Sequence, residues 1–160
     1  MIENKLVKKM NYSRTQIIIL MLLRLVLGYH FLFEGVDKLF SQSWSSYSFL
    51  MQANWLFSDL FQSLADSQTL LAIIDFMNIW GQILIGLGLL LGLFSRWAAF
   101  SGALLLLLYY VAIPPFVEGI FFIDKNLVEL FAFLIIMLFP TSHIFGIDYL
   151  INNFWSKKNA

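Results

Sequence analysis

The sequence predicts an all-α integral membrane protein, a four-helix bundle with an aromatic interfacial outer loop, and three observations lead there. Hydrophobic residues make up 60% of the chain and charged residues only 12%, against about a quarter charged in soluble domains. Four segments approach the roughly 20 predominantly apolar residues that a bilayer crossing requires. Lysine and arginine gather in the segments that a four-pass chain would place on one side.

In water, a chain of 160 residues this apolar would expose patches that soluble monomers avoid, so lipid is its natural solvent. Ten basic residues balance ten acidic ones, and a nucleic-acid partner, which needs a basic face, is not expected. There is no cysteine, which excludes disulfides, thiol catalysis and Cys-ligated zinc or iron–sulfur centres. Any redox role must then use a bound cofactor or substrate.

A single transmembrane domain is expected over 1–160, with helices at about 15–40, 70–94, 97–113 and 127–145 and an outer loop at 41–69. The first apolar run, from Thr15 to Phe40, follows Lys5, Lys8, Lys9 and Arg14. It lacks a small-residue cleavage site and exceeds the length of a signal peptide's apolar core, so it is a retained span. The second runs from Leu70 to Phe94, and Ser95 and Arg96 alone turn it into the third, Trp97 to Ile113. Pro114 and Pro115 stop that helix, because proline lacks a backbone donor and restricts the residue before it. The fourth extends from Leu127 to Phe145.

Cytoplasmic loops retain positive charge, so the N-terminal tail, Arg96, Lys157 and Lys158 are expected together inside a bacterial-type inner membrane, with both termini. The loop from Ser41 to Thr69 carries Asp59 and Asp66 but no Lys or Arg, and faces outward. Its Trp44, Tyr47, Phe49, Trp55, Phe57 and Phe61 suit short amphipathic helices lying in the headgroup interface as a lid.

A charged side chain inside a span costs about 2.5–3.5 kcal/mol, so those present face the bundle interior or a cavity. The first helix carries Arg24, His30, Glu34, Asp37 and Lys38, which at about 100° per residue fall on one stripe roughly 140° wide. His30, Glu34 and Lys38 are successive i, i+4 neighbours, a carboxylate flanked by a proton-labile ring and a cation. Glu129 approaches the same depth from the fourth helix. Two carboxyls and an imidazole so placed invite coupled protonation, which makes Glu34, His30 and Glu129 the candidate catalytic acid/base groups.

Asp75, Asn78 and Gln82 share a face in the outer half of the second helix. Tyr109 and Tyr110 sit one turn before the outer end of the third, and Asn126 opens the fourth. Together they predict one polar pocket in the outer leaflet, roofed by the aromatic loop. Trp80, Gln82, Asn78, Tyr109, Tyr110, Asn126, Arg24 and Lys38 are its candidate cofactor-binding residues. Structural alternatives stand beside these: an interior salt bridge for Arg24, interfacial anchoring for Lys38 and Asp37, a helix cap for Asn126, and an aromatic belt for Trp80 and the tyrosines. His30 and His143 lie toward opposite sides, which excludes a bis-His haem. Flavin and nucleotide motifs are absent, and the metal triad wants two histidines, so no metal site is expected. Gly88 and Gly92 form a Gly-x-x-x-Gly that serves either packing within the chain or homo-oligomerisation.

From Arg24 to Leu150 these residues resemble the DoxX/DoxD-like membrane proteins, DoxD being the small subunit of thiosulfate:quinone oxidoreductase. The resemblance rests on Arg24-x3-Gly28-x2-Phe31-x3-Gly35-x2-Lys38-Leu39 and on the run from Asn78, Trp80 and Gly81 through Gly86, Gly88 and Gly92 to Arg96. Tyr109-Tyr110, Pro114-Pro115, Asp124-Lys125-Asn126 with Glu129, and Gly146-Ile-Asp148 complete it. Gln82 stands where related sequences often carry an acid, and Phe139-Pro140 replaces a glycine-rich approach to Gly146. The resemblance implies a four-helix bundle and an electron-transfer role with quinone, exercised with a second protein subunit. The competing reading is a non-catalytic membrane scaffold or accessory subunit that docks a periplasmic partner. A small-solute or lipid-binding bundle is a third, and the missing inverted repeat argues against a transporter.

Overall fold

The computed structural model describes residues 12–118 and 122–158. Those residues form α1 (Arg14–Phe40), α2 (Tyr47–Met51), α3 (Ser58–Asp66), α4 (Gln68–Leu91), α5 (Ser95–Ala112), a 3-10 turn (Pro115–Glu118), α6 (Lys125–Leu138) and α7 (Ile147–Lys158), with no strand among them. Three helices, α1, α4 and α5, are long and apolar enough to cross a membrane. The chain is a multi-pass membrane protein. The basic residues Lys5, Lys8 and Lys9, on which the expected orientation leans, lie outside the described residues.

Local chemistry sets the helix ends. Ser13 opens α1 with a reciprocal cap: its hydroxyl accepts from the Gln16 amide at 3.2 Å, and the Gln16 side chain accepts from the Ser13 amide at 2.9 Å. This satisfies two of the donors that a helix start leaves open. Asp124 caps α6 by accepting from the Leu127 amide at 2.9 Å. Gly92 ends α4 in the left-handed region, at φ 63°, a conformation glycine adopts without steric cost.

Two boundaries differ from the sequence expectation. The turn between α4 and α5 is Gly92–Phe94, and Ser95 and Arg96 already belong to the first turn of α5. The fourth long helix ends at Leu138 instead of Phe145, because Pro140 disfavours helical geometry at Phe139, which takes φ −121° and ψ 64°. Its 14 residues rise about 21 Å, short of the roughly 30 Å hydrocarbon core, so α6 is not one of the helices long enough to cross by itself.

The α1–α4 pair packs backbone against backbone, because Gly28, Gly35 and Gly86 leave no side chain between the helices. Gly88 and Gly92 close on Ala98 and Gly146, so the Gly-x-x-x-Gly packs within the chain. The core gathers Leu27, Phe31, Leu89, Leu106, Phe133 and Ile136. Phe31 meets Phe133 edge to face with ring centroids 4.6 Å apart, a geometry worth about 0.5–1.5 kcal/mol beyond area burial. Large apolar side chains such as Leu22, Phe33, Phe76, Leu84, Trp97, Phe131 and Leu138 point outward, as lipid-facing residues do.

The 41–69 loop holds the two short helices expected of it, α2 and α3, and is fastened to the bundle. Asp75 on α4 accepts from the Ser45 hydroxyl at 2.9 Å, from the Ser46 amide at 2.7 Å and from the Ser46 hydroxyl. The Asn54 amide donates to the Ala112 carbonyl at the end of α5, at 3.1 Å. The loop's own Leu50 and Ala53 are buried. Fixed at both points, it covers the end of the bundle where α1 finishes and α4 begins.

Candidate functional site

From the lid inward, α1, α4, α5 and α6 bring polar side chains together along the two turns of α1 between Lys38 and His30. His30 lies one turn before Glu34 on α1. Its Nε2 stands 3.6 Å from Glu34 Oε1 and 3.4 Å from Glu129 Oε1 on α6. One imidazole thus bridges carboxylates on two helices. The three side chains keep 38%, 34% and 23% of their surface exposed, for His30, Glu34 and Glu129 respectively, so the group opens on the protein surface.

A second set leans against the first. Gln82, 1% exposed, donates from Nε2 to Glu34 Oε2 at 3.3 Å, while its buried Oε1 has no partner. Lys38 Nζ donates to Asn78 Oδ1 at 2.9 Å, and Asn78 Nδ2 donates to the Tyr109 hydroxyl. Asn78 and Gln82 sit one turn apart on the buried face of α4, which joins the two sets. Glu34 lies close enough to act electrostatically on both Lys38 and Tyr109. The lid supplies the aromatic cover: Lys38 Nζ is 4.9 Å from the Trp44 ring centroid, and Phe49 packs edge-on to Tyr109 at 5.1 Å. A cation over an aromatic face is attracted by about 0.5–2 kcal/mol.

Of the residues singled out from the sequence, His30, Glu34, Glu129, Gln82, Asn78, Tyr109 and Lys38 come together here. Four do not. Arg24 is fully buried and bonds Thr141 Oγ1 at 3.3 Å, about three turns of α1 away from Glu34. Trp80, 41% exposed, packs on Phe76 on the outward face of α4, because two residues of helix turn it about 200° from Asn78. Tyr110 turns its hydroxyl to the Phe122 carbonyl at 2.9 Å. Asn126 donates to Asp124 Oδ2 at 2.9 Å and so supports the α6 cap. Trp44 and Phe49 belong to the site although the sequence placed them only in the lid, since Trp44 meets Lys38 across the end of α1 and Phe49 meets Tyr109 from a distant part of the chain, and neither contact carries a periodic signal. Among the described residues no group of three His, Asp or Glu side chains could hold a metal ion.

The DoxX family model matches residues 19–115, more than half of the chain. The chain belongs to the DoxX family. This DoxX match covers α1 from residue 19 onward, the lid, α4 and α5 and therefore His30, Glu34, Lys38, Asn78, Gln82 and Tyr109, whereas Glu129 comes from beyond it. No curated protein and no solved structure matches the chain.

Proposed function

We propose that this DoxX protein is a quinone-interacting subunit of a membrane oxidoreductase system, and that His30, Glu34 and Glu129 bind the quinone head group and exchange protons with it. The bridging of two carboxylates by His30 carries the reading. Two carboxylates on two helices stand within 3.6 Å of one imidazole nitrogen, the pairing of acid and base groups that proton exchange with a bound head group requires. A quinone takes up two electrons together with two protons, which is the chemistry that this set would serve.

The donors and acceptors on hand suit such a head group. Lys38, steadied by Asn78, and the Tyr109 hydroxyl are donors for a carbonyl oxygen. Glu34 and the unpartnered Gln82 Oε1 are acceptors for a hydroxyl. Trp44 and Phe49 form an apolar cover under the fastened lid. The exposed flank of the His30 group would admit a ligand directly from the lipid phase. With no cysteine in the chain, the electrons would come from a partner subunit or a small reductant of the thiosulfate type. In the inner-membrane orientation expected from charge, with both termini cytoplasmic, this site would serve the periplasmic leaflet.

Photolabelling of the nanodisc-reconstituted protein with an azidoquinone tests the reading. Label is expected on α1, α4 or the lid, displaced by decylubiquinone and reduced in His30→Ala. Labelling spread over lipid-facing residues, insensitive to both competitor and variant, would favour a scaffold role.

A further inference from the structure

At the other end of the bundle a cavity of about 980 Å³ opens between the first turn of α5, the 141–143 segment and α7, near the upper limit for small-molecule sites. Ser95 lies 14 residues before Tyr109 on α5, about 21 Å along the helix, so this cavity is separate from the His30 group.

The cavity wall is built for an anion. Ser95 lines it, fully buried, and its hydroxyl has no hydrogen-bond partner. Arg96 and His143 line it as well, and α5 turns its N-terminal, positive end toward it. Among the described lining residues the carboxylate is Asp148, whose Oδ1 accepts from the Phe94 amide at 3.0 Å and which Arg24 attracts electrostatically. Arg24 itself is fully buried next to Thr141, with Nε and Nη2 lacking partners, and adds positive charge behind the wall. Ser142 and Asn152 add further polar groups, and the remaining lining is apolar, with Trp97 71% exposed beside Phe100, Met137 and Ile151. A polar anion cradle whose rim is aromatic and open to lipid fits a molecule with a charged head and an apolar tail.

We propose that this cavity binds the phosphate group of an anionic phospholipid, with Ser95 Oγ and Arg96 as donors and Trp97 and Phe100 beside the acyl chains. Charge-assisted bonds from arginine to phosphate are among the strong ones, and serine adds a short-range donor. The lipid would brace α7 against α5 at the membrane surface.

The full chain, solubilised in detergent, is titrated with brominated phosphatidylglycerol, brominated phosphatidylcholine or inorganic phosphate, with tryptophan quenching and thermal stability as readouts. Phosphatidylglycerol is expected to give saturable quenching and stabilisation that phosphatidylcholine does not. Its affinity should fall about tenfold in Arg96→Gln, and the quenching amplitude should drop in Trp97→Phe. Stabilisation by inorganic phosphate without an effect of phosphatidylglycerol would put free phosphate in the cavity and overturn the lipid assignment. Equal behaviour of the two lipids, or unchanged affinity in both Arg96→Gln and Ser95→Ala, would overturn the site.

Discussion

A methyl group at Gly86 has nowhere to go: its carbon would lie 2.5 Å from the Leu32 amide nitrogen and 2.7 Å from the Gly28 carbonyl oxygen. Backbone atoms cannot swing aside as side-chain tips do. In Gly86→Ala the helices α1 and α4 must therefore part by about 1 Å to restore ordinary van der Waals separations. Gln82 is one turn away, and the same opening stretches its 3.3 Å bond to Glu34 beyond the range in which hydrogen bonds hold. Overpacking costs about 1–3 kcal/mol, the lost bond about 1.5, and the better helix propensity of alanine offsets about 1, for a net loss of about 1.5–3.5 kcal/mol. Gly81, on the same helix, has nothing within 4 Å of its added carbon, so Gly81→Ala should be neutral or stabilising by up to about 1 kcal/mol. Denaturant unfolding of both variants in detergent micelles measures the difference. Equal stabilities would refute the backbone-contact seam as the element that positions the site.

Glu34→Gln is expected to abolish quinone-linked activity of the assembled complex while the protein still inserts, whereas Asp37→Asn, at an exposed position, should be mild in the same assay. Asn78→Leu strips Lys38 of its acceptor and Tyr109 of its donor, and should cost about 2–4 kcal/mol in micelle unfolding. For orientation, single cysteines at Ser43 and Ser13 should differ in labelling by an impermeant thiol reagent in sealed cells, with Ser43 the reactive one; equal labelling contradicts the charge argument.

What the sequence made legible followed from periodicity and length. His30, Glu34 and Lys38 repeat every fourth residue, as do Asn78 and Gln82, so their common faces could be read before any fold was known. Helix periodicity alone would also have set Trp80 opposite Asn78, and depth along α1 would have set Arg24 apart from Glu34, because a stripe on a helix is a line and not a point. The fourth long helix was overextended because apolar composition continues through Phe145 past Pro140, and composition says nothing of backbone donors. The α7 helix carries no span signal, because Ile147–Lys158 mixes apolar and polar residues too evenly. Its anchors, the Asp148 bond to Phe94 and the Gly92–Gly146 contact, join positions about 54 residues apart that no local pattern links.

Binding of decylubiquinone to the reconstituted protein, measured by tryptophan quenching in wild type, Glu34→Gln, Glu129→Gln and the double variant, tests the bridging role of His30 most directly. If His30 couples the two carboxylates into one quinone site, each single variant should weaken binding by about tenfold or more, and the double variant should be little worse than either alone. Full affinity in both single variants, or losses that simply add, would contradict it.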